Sequence, residues 1–183
     1  LRKSKIHVYL ADKNAHSSYI HNKCLESFAK GCEGKILDID NYQESDLAVV
    51  FGTYKKNIKQ SYARGEIVSK QIEKGHKTII IDSGFIRKDS NNNDYFSVGF
   101  DNIIGWGNYR NNSMPSDRWN KLNIGLKEWR KNDDNNHIII CGQIPWDASN
   151  QHININKWLF ETSNKIRLIT KRKIIYRPHP KAI

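Results

Sequence analysis

Two short segments bring together residue types that do chemistry. In Cys141-Gly142-Gln143-Ile144-Pro145-Trp146-Asp147-Ala148-Ser149 an amide, a carboxylate and a hydroxyl follow directly on the apolar run Ile138 to Cys141. Gln143 can donate and accept, Asp147 accepts as an anion, and Ser149 does both. Gly142 lets a ligand come close to the backbone. That set suits a ligand held by hydrogen bonds; it equally suits a strand-to-helix loop in which Asp147 or Ser149 only caps a turn. The second segment is Arg177-Pro178-His179-Pro180, after the run Lys173 to Tyr176. Its two prolines fix the backbone on either side of His179 and so aim the imidazole. Arg177 is a forked donor suited to phosphate, and His179 can add a hydrogen bond or a proton. The plainer alternative is a proline-rich exit turn with an exposed histidine.

Other reactive side chains carry less. Cys24, Cys32 and Cys141 form an odd set without metal-ligand spacing, and read as reduced thiols. His7, His16, His21, His76, His137 and His152 have no partner at a recognisable spacing and receive no role. Trp119, Trp129 and Trp158 fall on apolar helical faces and are expected in the core. Trp146, inside the Gly142–Ser149 segment, can lie against a ligand ring, and Trp106 stands among glycines.

The elements that must position these groups alternate in type. Lys5 to Leu10 reads as a strand, and Ser17 or Ser18 can cap a helix carrying Ile20, Cys24 and Phe28, closed near Gly31. Leu47 to Phe51 is a buried strand ending at Gly52. A helix follows from about Gln60 to Lys74 and stops at Gly75. Thr78 to Ile81 forms another buried strand, ending at Asp82-Ser83-Gly84. Residues 95–110 mix aromatics with Gly99, Gly105 and Gly107, which predicts short irregular strands or a structured loop. Trp119, Leu122, Leu126 and Trp129 share one helical face. His137 to Cys141, a helix marked by Ile155, Trp158, Leu159, Ile166 and Ile169, and Lys173 to Tyr176 form a last β-α-β unit. Short apolar runs joined by helices predict an α/β fold: a Rossmann-like parallel sheet with helices on both faces, then the start of a second such domain. The polar stretch 131–136 is the expected boundary between a domain of residues 1–130 and one of 137–183.

A chain of 183 residues suffices for one ordinary domain, or one and a piece of another. The longest apolar runs are far below the roughly 18 residues of a membrane helix. Leu1-Arg2-Lys3-Ser4-Lys5 lacks a leader's apolar stretch, so a cytoplasmic protein is expected. The net charge of +11 raises the prospect of an anionic partner. Lysine outnumbers arginine 21 to 9, however, and 25 Ile and 20 Asn accompany it, the composition of an AT-rich gene. The positive charge is also dispersed: residues 1–130 carry 21 basic and 15 acidic side chains, residues 131–183 nine and four. A phosphate-bearing ligand fits this better than a long nucleic-acid track.

The order strand, Gly142-Gln143 to Asp147-Ala148-Ser149, helix, strand, Arg177-Pro178-His179-Pro180 resembles the donor-binding half of GT-B glycosyltransferases of the capsule-polysaccharide and Kdo-transferase type. Members carry a Q-x-x-x-D-x-S stretch and a K/R-P-H-P stretch. Ile81-Asp82-Ser83-Gly84-Phe85-Ile86-Arg87 is similar to the group's E-x-G-[FWY]-[LI]-R segment, with Asp82 in place of Glu. Phe51-Gly52-Thr53, Arg118-Trp119 and Leu126-Lys127-Glu128-Trp129-Arg130 add to the likeness, which spans about residues 45 to 181. A complete enzyme of this type has two Rossmann-like domains and over 300 residues, so the resemblance implies an incomplete, GT-B-like second domain. It also implies a nucleotide-sugar substrate, no tightly bound cofactor and no metal. Gly142, Gln143, Asp147, Ser149, Arg177, His179 and Pro180 would hold the donor. A saccharide acceptor would lie near Gly52 and Asp82-Ser83-Gly84, with Asp82 as general base or, on the plainer reading, a loop-capping carboxylate.

Two other readings stay open. One is a nucleic-acid-binding module built on Lys165 to Lys181, although no helix-turn-helix, zinc-finger or RNP pattern is present. The other is a glycosyltransferase acting on phage or viral DNA. An incomplete second domain would also leave a sheet edge through which the chain can form a homodimer.

Overall fold

The computed structural model describes residues 4–11, 18–54, 59–88, 94–103, 113, 115–129, 136–150 and 153–182, with backbone alone at 18, 19, 59–62 and 118. The expected cap at Ser17, the residues Trp106, Arg130, His16 and His152, and nearly all of the boundary stretch 131–136 lie outside them. The chain divides into two units, Leu1–Leu122 and Asn123–Ile183.

Unit 1 is built on a five-stranded mixed sheet of order β2-β1-β3-β4-β5. Strand β1 (Ile6–Leu10) pairs parallel with β2 (Lys35–Asp38) on one side and with β3 (Leu47–Phe51) on the other. Strand β4 (Lys77–Lys88) continues the parallel set, and β5 (Asp94–Phe100) closes it antiparallel. Helix α1 (Ser18–Cys32) links β1 to β2, and α2 (Lys59–Glu73) links β3 to β4.

Strand alternation explains how both faces are covered. Val8, Val49, Phe51 and Ile81 point to one face, where Leu25 and Ala29 of α1 pack on them. Tyr9, Ala48, Val50 and Ile80 point to the other, where Ile67 and Val68 of α2 cover them. LAVVF carries a continuous apolar run because both of its faces are buried. Helix α2 stops where the N–H groups of Gly75 and His76 turn back to the carbonyls of Ile72 and Gln71.

Three expectations need correction. Thr78 to Ile81 does not end at Asp82-Ser83-Gly84: β4 runs on to Lys88 as one arm of a hairpin, because β5 supplies antiparallel partners, Asp82 opposite Ser97 and Ser83 opposite Phe96. Residues 94–100 are accordingly a regular strand. Trp119, Leu122, Leu126 and Trp129 do not share a helix. Helix α3 (Asp117–Lys121) is one short piece, since Asn123 takes a left-handed φ of 48°. Leu126 and Trp129 are 81% and 89% exposed, and Trp119 and Trp158 are exposed as well. The edge strand β2 has no counterpart in the sequence reading. Its side chains are exposed except Leu37.

Unit 2 is a β-α-β unit. Strand β6 (Ile138–Cys141), helix α4 (Ile155–Ile169) and strand β7 (Ile174–Arg177) follow in order, with β6 and β7 paired parallel. Asn154 caps α4, its side chain accepting from the Lys157 N–H at 3.0 Å.

Candidate functional site

In unit 2 the two motifs leave the same edge of the sheet. Cys141 and Arg177 are register partners at the carboxyl ends of β6 and β7, and the Gly142 N–H donates to the Arg177 carbonyl at 2.7 Å. Gly142 is required here: a Cβ would overlap the Tyr176 hydroxyl. Beyond it the chain forms a compact turn. Asp147 Oδ1 accepts from both the N–H and the hydroxyl of Ser149, at 2.9 and 2.6 Å, and the Asn150 amide donates to the Ile144 carbonyl at 3.1 Å. Asp147 and Ser149 are therefore bonded to each other, the turn-forming role weighed in the sequence. Gln143 and Trp146 are exposed. Around β7, Arg177 is exposed and His179 half-buried. The Lys181 N–H donates to His179 Nδ1 at 3.1 Å, so the neutral ring carries its proton on Nε2. Pro180 opens a 3-10 turn (Pro180–Ala182) that supplies this N–H. The set Gly142, Gln143, Asp147, Ser149, Arg177, His179 and Pro180 is thus distributed over two adjoining loops.

In unit 1 a different group of side chains converges on the carboxyl end of β3. His21 of α1 stacks on Phe51, ring centroids 3.9 Å apart and planes 14° from parallel. Arg64 of α2 donates through Nη1 to the Phe51 carbonyl at 2.9 Å. Gly52, with φ of 92°, leaves the guanidinium its space, since a Cβ there would overlap Nη1. Asp82 of β4 accepts the Thr53 N–H on Oδ2 at 3.3 Å and the Ser83 N–H on Oδ1 at 2.6 Å. Asn22, next to His21, clamps the end of β1, donating to the Ala11 carbonyl at 3.0 Å and accepting its N–H at 2.9 Å.

The charges of this group are coupled. Burial lowers the proton affinity of His21; the Asp82 carboxylate opposes that shift and the Arg64 guanidinium adds to it. Burial likewise lowers the Arg64 pKa, with Asp82 acting against it. Asp82 was singled out from sequence, whereas His21 and Arg64 were not. Their signal was positional: each is early in the helix that follows a parallel strand, the part of the helix nearest the strand's carboxyl end.

The largest cavity among the described residues lies elsewhere in unit 1. It measures about 500 Å³ and is lined chiefly by Asp40, Asn41, Tyr42, Glu66 and Lys70. Lys70 pairs with Glu66 and lies 5.0 Å from the Tyr42 ring centre, so its charge is already engaged. Converging side chains, rather than open volume, make the β3 corner the better candidate. Among the described residues no group of three or more His, Cys, Asp or Glu is placed to hold a metal ion. Neither a family model nor a curated protein matches this chain.

Proposed function

We propose that the chain is a glycosyltransferase of the capsule-polysaccharide and Kdo-transferase type, transferring sugar from a nucleotide-sugar to a saccharide acceptor in surface polysaccharide synthesis, as a Rossmann-like, GT-B-like protein working in the cytoplasm. The observation that carries this reading is the pairing of β6 with β7, which brings the Gly142–Ser149 and Arg177–Pro180 loops to one sheet edge. Ligands of parallel sheets collect at that edge. Arg177 supplies positive charge for the donor phosphate and His179 an Nε2–H of set direction. As the nucleotide departs, negative charge grows on its phosphate, and both donors then bind it more strongly than in the ground state. Gln143 is available to the base or ribose. The hydroxyl acceptor belongs to unit 1, at the Asp82 corner.

Titration calorimetry with CMP, UDP, GDP and ADP tests the donor site. One nucleotide is expected to be preferred, and Arg177→Ala/His179→Ala to weaken it by about 2–4 kcal/mol, taking each charge-assisted bond at about 1.5–3 kcal/mol with some overlap. Absence of nucleotide binding, with tight and salt-steep binding of duplex DNA, would favour the nucleic-acid reading instead. The exposed Lys165, Lys171, Lys173 and Lys181 favour that second reading. Arg167 and Arg172 weaken it, since they donate to the carbonyls of Arg172 and Asn136.

A further inference from the structure

We propose that the β3 corner of unit 1 is a proton-handling site for a ligand hydroxyl, in which His21 takes the proton while Asp82 and Arg64 position it. The inference rests on the reading of unit 1 as the acceptor side, and it moves the base from Asp82 to His21.

Topology places the corner first. The chain leaves β1 through α1 toward β2 on one side, and leaves β3 through α2 toward β4 on the other, with the two helices on opposite faces. The strand order therefore reverses between β1 and β3, and a crevice opens at their carboxyl ends, the usual ligand position in such sheets. His21, Thr53, Arg64 and Asp82 reach that place from α1, the end of β3, α2 and β4.

Roles follow from the contacts. Each Asp82 oxygen already takes a backbone N–H, which holds the carboxylate as a fixed anion. Arg64 is tied to the Phe51 carbonyl above Gly52. The His21 ring is set in its plane by Phe51. Among the described groups, Asp82 from β4 and Arg64 from α2 are the charges that act on it, and burial keeps it neutral near pH 7. A neutral imidazole accepts a proton, and the carboxylate then offsets the imidazolium charge. In the step, the acceptor O–H bond breaks and an N–H bond forms on His21. The oxygen lone pair bonds the anomeric carbon of the nucleotide-sugar, and that carbon's bond to the phosphate oxygen breaks, the nucleotide leaving with the electron pair.

Histidine NMR on the full chain reads this directly. The His21 ring resonances should titrate below the ordinary histidine midpoint, move further down in Asp82→Asn and move up in Arg64→Met. Methyl glycosides of a hexose, an N-acetylhexosamine and a uronic acid are the probes. At least one should shift the His21 resonances and change its proton affinity by about twofold or more, while His21→Gln binds it within about threefold and loses on the order of 100-fold in transfer. A His21 midpoint indifferent to both variants, or resonances unmoved by every glycoside, overturns the proposal. If a variant does not fold, the wild-type response to the glycosides still decides. Nucleotide binding through Arg177 and His179, read in the same samples, separates the two ideas: nucleotide bound with His21 silent defeats the inference alone, and His21 responsive with no nucleotide bound defeats the donor reading alone.

Discussion

His7 lies wholly inside the sheet, with Nδ1 3.0 Å from the Gln43 carbonyl and Nε2 buried without a hydrogen-bond partner. Burial lowers its pKa, and Lys5 and Lys35 add to the effect. An unfolded histidine binds its proton near pH 6.5 while this one resists, so the unfolded chain holds more protons in the acid range. Stability is then full above about pH 6.5 and falls as the pH drops below it. His21, lowered in the same direction, contributes alike. Urea midpoints at pH 7.5 and pH 5 should therefore differ, with the lower value in acid. His7→Phe should narrow that gap and lose about 1 kcal/mol at neutral pH, because the Gln43 carbonyl still accepts from the Tyr9 hydroxyl at 2.8 Å. Gly52→Ala has a different cause. It strains a φ of 92° and drives a methyl into Arg64, so a loss of about 1–3 kcal/mol is expected, together with a displaced His21 titration. An unchanged titration would show that Gly52 does not govern the corner.

Gln71 shows how an element is held by one polar side chain. It is fully buried on α2, donates to the Ser45 and Lys77 carbonyls at 3.1 Å each, and accepts from the Tyr42 hydroxyl at 3.0 Å. It thereby fastens the end of α2 to the starts of β3 and β4. Gln71→Leu keeps the volume but leaves two buried carbonyls without their donor, so a loss of about 2–4 kcal/mol is expected in chemical unfolding. A loss under about 1 kcal/mol would mean that other donors replace it. In unit 2 the corresponding fastening is Gly142 against Tyr176. Gly142→Ala should separate the carboxyl ends of β6 and β7 and weaken nucleotide binding about tenfold or more, whereas Gln143→Ala leaves the strand pairing intact.

Over the whole molecule the cores are unequal. Unit 1 holds two buried clusters, one on each face of its sheet. Among the described residues of unit 2, Ile140 and Gly142 alone are buried, and α4 has no buried residue. Hydrogen exchange should accordingly be slowest in β1 and β3 and at least tenfold faster in β6 and β7. Equal protection would show that unit 2 draws stability from contacts beyond its own apolar surface. No helix among the described residues is long and apolar enough to cross a membrane.

Much of this arrangement was legible in the residues. KIHVYL, LAVVF and TIII mark strands buried on both faces, since apolar runs so short and unbroken have few other uses; Gly75 marks a helix end. The strand-loop pairs at Cys141-Gly142 and Arg177-Pro178 were visible for the same reason. Pairing decided the rest. Asp82 seemed to end a strand because Ser and Gly follow it, yet β5 recruits those residues into a hairpin, and a cross-strand partner leaves no trace in local periodicity. The spacing of Trp119, Leu126 and Trp129 suggested a helix that one left-handed residue, Asn123, interrupts. His21 and Arg64 had no local signature, standing 43 residues apart in sequence. They meet because α1 and α2 cover opposite faces of the sheet and both begin at its carboxyl edge. Sequence set which segments are apolar and where they stop; only the packed sheet decided which polar side chains share a corner, because that depends on strand order rather than on neighbouring residues.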